Sequence, residues 1–291
     1  MVRMNRRTLL VVFALCALVA QFGVGCSQPK KAELQPKIAP PAIKEVGTLR
    51  AGIDVGYPPF GGTDKGQNAG IDVDVAAALA ERLGLKLTVV PVEASNAATE
   101  LAKGTIDVAM SVPFSDEALS NLSVAGSYIS DAPAFFVATD GTASVDPTMT
   151  VDKLPMLPAS VGVQKGSVAY WMLTRSLGPE SVKKFSSLRA AMKALDSGDV
   201  PIVAGDALVA AYIARDYPKV HFAGQLQPAV LLGVAVLPEN TMLADSARET
   251  LNGLAADGVF DAIRGKWVGG LDKLKTAPSD TASETTSATA P

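Results

Sequence analysis

Histidine occurs once, at His221, and cysteine twice, at Cys16 and Cys26. Zinc centres built from Cys and His, and catalytic triads that turn on an imidazole, are nearly excluded by that count. Basic residues are not in excess: 26 Lys and Arg stand against 29 Asp and Glu, a net charge of −3. Such a balance implies no face for nucleic acid. No apolar run reaches the roughly 18 residues of a membrane span. The phosphate-cradling pattern Gly-x-x-x-x-Gly-Lys-[Ser/Thr] is missing, and Gly56 with Gly61-Gly62 brackets prolines rather than opening a helix. What is there is a chain of 291 residues, 48% hydrophobic and 19% charged. That is enough for one large domain or two ordinary ones around a sizeable core. It comes with little catalytic equipment and no cofactor motif.

The leading segment reads as an address. Met1 to Arg7 carries Arg3, Arg6 and Arg7 with no acid, Leu9 to Ala20 is unbroken apolar sequence, and Gly23-Val24-Gly25 follows. That order describes an export signal over residues 1–25, and Arg6-Arg7 leaves both the general and the twin-arginine route open. Cys26 after Val-Gly resembles the lipobox of bacterial lipoproteins, although Gly23 stands where that motif usually has leucine. The resemblance implies an acylated Cys26 and an exported protein anchored to the cell membrane, facing periplasm or exterior. No disulfide then remains, and the fold must rest on its core. Residues 26–45, with four prolines among polar residues, read as an extended tether. Residues 273–291, rich in Ser, Thr, Ala and Pro, read as a disordered tail.

Between them the pattern is regular. Leu49, Ala51 and Ile53 alternate as a strand, broken by Asp54 to Phe60. Val73 to Leu83 predicts a helix with Val75, Leu79 and Leu83 on one face and Gly84 as its stop. Asp72 and Asp74 at its start suit free N–H groups and the helix dipole. A strand at Leu85 to Val92, a helix at Ala97 to Lys103 and a strand at Ile106 to Ser111 complete a β-α-β-α-β unit. Such a unit implies parallel strands and right-handed crossovers. A second unit runs from Val161 to Gln164, through Lys165-Gly166-Ser167 and two helices, to Val200 to Ala204 with Asp206 just beyond. The apolar runs Ala132 to Ala138 and Leu231 to Leu237 are read as strands crossing between two lobes.

The expected fold is thus α/β with two lobes, each a mainly parallel sheet flanked by helices, joined by two hinge strands that permit closure. Lobe 1 takes residues 46–137 and 231–272, and lobe 2 takes residues 138–230. Ligands on such sheets bind beyond the carboxyl ends of the strands. That rule selects Asp54 to Phe60, Glu93 to Asn96, Ser111 to Ser115, the Ser167 loop and Asp206. Two of these have a structural alternative. Asp206 could cap the helix at Ala207 to Ala214, and Tyr57 could belong to a proline-pinned turn that places Phe60 in the core.

The sequence Gly70-Ile71-Asp72-Val73-Asp74-Val75, with Leu79-Ala80 and Leu83, resembles the signature of the family 3 extracellular solute-binding proteins. These are the amino-acid receptors of bacterial ABC importers. Leu49-Arg50-Ala51-Gly52, Tyr57-Pro58-Pro59-Phe60, Val161-Gly162-Val163-Gln164 and the closing stretch through Lys266-Trp267 extend the likeness over about Val46 to Gly270. The resemblance implies a type II periplasmic binding fold, a monomer that closes on a small solute and docks on a membrane permease, and no enzymatic activity. By the same likeness, Asp54 and Tyr57 meet the ligand's side chain, Ser111 offers hydrogen bonds, and Asp206 holds an α-ammonium.

One departure from the family matters. Receptors of α-amino acids usually carry an arginine after the third strand that grips the carboxylate. Here no basic residue occurs from Gly104 to Asp152, and Ala118 stands near the expected place. Gly166-Ser167-Val168 also lacks the usual last hydroxyl, and Lys165 is the nearest substitute cation. An enclosed carboxylate without partners carries a large desolvation penalty. An amine or a modified amino acid therefore suits Asp54, Glu93 and Asp206 better. The same scaffold also serves exported cyclohexadienyl dehydratases and sensory lipoproteins, but the first need a basic group for a substrate carboxylate. His221 is read as a surface or hinge residue rather than an acid-base catalyst.

Overall fold

The structure, a computed structural model, describes residues 34–114, 121–139 and 160–277. The export segment with Cys26, the stretch around Ala118, and residues 278–291 lie outside the described residues.

Strand β1 (Thr48–Ile53) leads into the Tyr57 turn and a small hairpin, β2 (Gly62–Asp64) with β3 (Gln67–Ala69). Helix α1 (Ile71–Arg82) follows, starting two residues earlier than the periodicity predicts, and buries Ile71, Val75 and Leu79. Gly70 makes that start possible. Its φ is 152°, and a Cβ there would sit 2.1 Å from the Phe60 carbonyl oxygen. The close approach lets the N–H groups of Ile71 and Asp72 donate to the carbonyls of Pro59 and Phe60, at 2.8 and 2.9 Å. Turn and helix are thereby locked together. Strand β4 (Lys86–Pro91), helix α2 (Ala97–Lys103), ended by left-handed Gly104, and strand β5 (Val108–Pro113) complete the predicted unit. Both outer strands pair parallel to β1.

The first sheet continues with β12 (Val230–Val236) and β6 (Ser123–Asp131), in the order β4-β1-β5-β12-β6. The second sheet has the order β11-β7-β10-β8-β9. Its strands are β7 (Pro133–Ala138), β8 (Val161–Gln164), β9 (Val182–Phe185), β10 (Ile202–Asp206) and β11 (Val220–Gln225). Each sheet is mixed rather than mainly parallel. The segments that travel between lobes, β6 and β12 in one and β7 and β11 in the other, enter antiparallel to their neighbours.

The crossings also fall elsewhere than the apolar runs suggest. Pro133 already pairs within the second sheet, so the outward crossing is the single residue Ala132, not a boundary after Val137. Val230 already pairs with Asp131, so the return is made by residues 226–229, and the Leu231 to Leu237 run belongs to a strand of lobe 1. An apolar run marks a strand buried on both faces. Chain passing between sheets is short and carries no such signal. The two crossings lie side by side, with the Leu226 N–H donating to the Pro133 carbonyl at 2.9 Å.

Helices α3 (Val168–Leu177), α4 (Leu188–Asp196) and α5 (Ala207–Ala214) flank the second sheet. Helices α6 (Thr241–Ala256) and α7 (Val259–Val268) return to the first. Asp74 accepts from Lys266 Nζ at 2.6 Å and Trp267 Nε1 at 2.7 Å, which ties α7 to α1. The buried ion pair of Arg50 with Asp107, 2.7 Å, pins β1 beside β5.

Both ends of the folded part are more ordered than their composition suggests. Ile38, Ala42 and Ile43 are buried, the Lys37 N–H donates to the Leu83 carbonyl, and Asn240 Nδ2 donates to the Ala42 carbonyl. The tether reading therefore stops near Pro36. At the other end Leu271 and Leu274 are buried, and the Ala229 N–H donates to the Lys275 carbonyl at 2.8 Å. Residues 273–276 thus lie against the return crossing instead of beginning the tail. Among the described residues no helix is long and apolar enough to cross a membrane.

Candidate functional site

A cavity of about 390 Å³ opens between the carboxyl ends of the two sheets. Lobe 1 supplies Asp54 and Tyr57 after β1, Asp72 from the first turn of α1, Ala94 and Ala97 after β4, and Ser111 within β5. Lobe 2 supplies Val168 at the start of α3 and Asp206 at the end of β10. The outward crossing supplies Ala132, with Asp131 and Pro133 on either side of it, and the return crossing supplies Gln227. Most of the remaining wall is apolar, with Phe60, Val92, Met110, Val230 and Leu232.

Four of the six sequence-predicted residues meet here. Tyr57 donates its hydroxyl proton to Asp206 Oδ2 at 2.8 Å, a direct link between lobes. Its ring stacks on Phe60, 5.7 Å between centroids, and Phe60 is buried as expected. Burial, then the charge of Asp206, pushes the Tyr57 phenol well above its usual range. Asp54 accepts from the Gly56 N–H at 2.9 Å. Ser111 has φ 54°, a left-handed conformation costing about 1–3 kcal/mol in a residue with a side chain. It is held there by its N–H donating to Tyr128 Oη at 2.7 Å and its Oγ donating to Asp72 Oδ1 at 2.8 Å.

Glu93 and Ser167 do not line the cavity. Glu93 is exposed and precedes the short helical turn Ala94–Asn96, whose alanine reaches the cavity instead. Ser167 caps α3, its Oγ accepting from the Tyr170 N–H at 3.1 Å, and the exposed Val168 lines the cavity in its stead. Lys165 and His221 are likewise absent from the lining. His221 lies on β11, the edge strand of the second sheet.

The alternative role for Asp206, capping α5, is taken by another residue. Asp131, the last residue of β6, accepts from the Ala132 N–H at 2.9 Å and from the Leu208 N–H at 3.1 Å. Asp206 makes no capping bond and is free to take Tyr57. Burial, and next the neighbouring Asp206 charge, pushes the Asp131 carboxyl up to about 7, against the opposing pull of those N–H groups. Asp72 is not the exposed helix-start acid that its position suggests. It is 2% exposed and accepts from Tyr128 Oη at 2.7 Å as well as from Ser111. Burial pushes it, too, up to about 7, with a further upward contribution from Asp54.

Asp72, Tyr128 and Asp131 were not singled out as site residues by sequence reasoning. Asp72 did carry a signal, since it shares the α1 face of Val75, Ala76 and Leu79, which is the buried one. Asp131 stands immediately before the run Ala132 to Ala138, but nothing local announces its partners.

No Lys, Arg or His among the described residues lines the cavity, while four carboxyl groups do. Among the described residues no three acidic, His or Cys side chains converge as a metal-binding group would. The site can therefore receive positive charge and apolar bulk, and its geometry shows no side-chain cation for a carboxylate.

Comparison with known proteins agrees with this architecture. The chain is 29% identical over 231 residues to the L-arginine-binding protein of Pseudomonas aeruginosa, covering 75% of this chain and 87% of that protein. It is 46% identical to the cyclohexadienyl dehydratase of the same organism, over only 70 residues, 24% of this chain and 26% of that enzyme. The solved structure of an ancestral cationic amino acid solute-binding protein superposes with a TM-score of 0.67 at 27% identity, covering 76% of this chain and 96% of that one. The fold is accordingly the type II periplasmic binding fold. The family model matches residues 49–270, well over half the chain, which therefore belongs to the bacterial extracellular solute-binding proteins, family 3.

Proposed function

We propose that this protein is the capturing component of an ABC importer. It is exported, anchored through an acylated Cys26, and closes two lobes on a small polar solute, amino acid-like or amine, for delivery to a membrane permease. The observation that carries this reading is the Tyr57–Asp206 bond spanning the lobes across a carboxylate-lined cleft. A solute there touches both lobes and both crossings at once, so its binding energy acts directly on closure. The acidic lining is in keeping with relatives named for arginine and cationic amino acids. Packing of the chain from about Pro36 onward leaves a short polar stretch after Cys26 as the tether.

The test is a thermal-shift panel of amino acids and amines on the soluble protein, paired with small-angle scattering. A solute that binds the folded state raises the melting temperature, and a closing receptor contracts. A panel in which nothing raises the melting temperature or shrinks the particle overturns the reading.

A second reading is an exported dehydratase, favoured by the 46% identity over 70 residues. Its carboxylate-bearing substrate would meet no side-chain cation among the described residues of this cavity. Steady turnover of prephenate or arogenate by the purified protein would establish it in place of transport.

A further inference from the structure

The four carboxyl groups of the cavity differ in their partners from five acids that tie the fold together elsewhere. Asp107 is paired with Arg50, Asp74 with Lys266, Asp216 with Arg189, Asp257 with Arg82 and Asp261 with Lys273. Asp54, Asp72, Asp131 and Asp206 are held by neutral donors alone: backbone N–H groups and the hydroxyls of Ser111, Tyr128 and Tyr57. Among the described residues no cationic side chain bonds to them.

They also fall into two pairs. Asp72 feels the negative charge of Asp54, and Asp131 feels that of Asp206. Asp54 and Asp72 sit on lobe 1, at the carboxyl end of β1 and the start of α1. Asp131 ends β6 beside the outward crossing, and Asp206 ends β10. Apolar wall from Phe60, Met110, Val168 and Leu232 shares the cavity with both pairs. Like charges left unbalanced in such surroundings are costly, and an incoming cation at each pair removes that cost. A carboxylate would find the reverse. Among the described residues no basic side chain lines the cavity, Ser167 is not part of its lining, and Asp131 takes the Leu208 N–H at the start of α5.

Resting on the solute-binding reading above, we propose that the captured solute is a linear dication without a carboxylate, an α,ω-diamine or a guanidinoalkylamine. One cationic end lies at Asp131 and Asp206, the other at Asp54 and Asp72, and the hydrocarbon spacer runs along the apolar wall. Tyr57, bonded to Asp206, presents its ring beside the first of these ends.

Calorimetric titration of the soluble protein at pH 8 tests this with matched probes. Cadaverine and agmatine are lysine and arginine without their carboxylates, and n-pentylamine is cadaverine without its second cation. Cadaverine or agmatine is expected to bind at least about ten-fold more tightly than its parent amino acid and than n-pentylamine. Asp54→Asn and Asp206→Asn, each removing one charge from a different pole, are each expected to lower the diamine affinity about ten-fold or more. Their melting temperatures report that the fold is intact. Arginine or lysine binding more tightly than its decarboxylated partner overturns the dication while leaving solute capture standing. Equal affinity for n-pentylamine and cadaverine overturns the second pole. If no amine binds but another small solute does, only the charge assignment is lost; if no small solute binds at all, the solute-binding reading falls with it.

Discussion

At the scale of single residues, two buried acids of the cavity carry the clearest pH signature. Asp131 and Asp72 are each raised from 3.8 to about 7. In the folded state they keep a proton that the unfolded chain has already lost. Their contribution therefore falls as pH rises from about 4 to 7, by up to ~1.4 kcal/mol per pH unit for each group, and levels off above. Asp131→Asn removes that charge while its Oδ1 still accepts from Ala132 and Leu208. Chemical denaturation should show the variant more stable than the parent at pH 8 and about equal to it at pH 4. An equal shift at both pH values would show that the carboxylate charge is not the cause. Tyr57→Phe isolates another single contact, since the ring keeps its stack on Phe60 and only the hydroxyl bond to Asp206 is lost. The stability loss should be no more than about 1 kcal/mol. Scattering of the ligand-free variant should nevertheless show a larger radius of gyration, because the lost bond joins the lobes; an unchanged radius would deny that role.

At the scale of elements, the site depends on how helix α1 begins. Gly70 serves both the positive φ and the close approach to Phe60, whereas Gly258 before α7 has φ 73° and open space around its missing Cβ. Alanine at the two positions separates strain from collision. Gly258→Ala should cost about 1 kcal/mol from backbone conformation alone, and Gly70→Ala about 2–3 kcal/mol because the turn must also move. Displacing the turn shifts Tyr57 and Asp72 together, so the Gly70 variant should lose solute affinity while the Gly258 variant keeps it. Thermal denaturation and titration of the pair provide the comparison, and equal losses would mean the collision is absorbed elsewhere.

At the scale of the whole molecule, two sheets are joined by one residue on the way out and four on the way back. The return crossing is braced from outside. Lys275 donates its N–H to Gln225 Oε1 at 2.8 Å, Gln225 Nε2 donates to the Lys275 carbonyl at 3.0 Å, and Thr276 bridges to Ala229. Truncation after Asp272 removes this strap together with buried Leu274. It should lower the melting temperature by a few degrees and broaden the distance distribution of the ligand-free protein in scattering. A truncated protein as stable and as compact as the parent would assign the strap no part in the hinge.

Much of this organisation was legible in the sequence. Period-2 and period-3.6 apolar patterns gave β1, α1, β4, α2 and β5, because burial of an element's face leaves its repeat in the chain. The missing base between Gly104 and Asp152 is in keeping with a cavity lining that carries no base among the described residues. Location of a site at strand carboxyl ends placed Asp54, Tyr57, Ser111 and Asp206. Which acids actually converge was decided only by tertiary structure. Tyr57 meets Asp206 across 149 positions, and Tyr128 meets Asp72 across 56. Glu93 and Ser167 occupy the right loops but face away, and Asp131 takes the capping role for which Asp206 was suited. Local pattern fixes which face of an element is apolar; the partner of a polar group is set by whichever distant strand or turn the fold brings within hydrogen-bond reach.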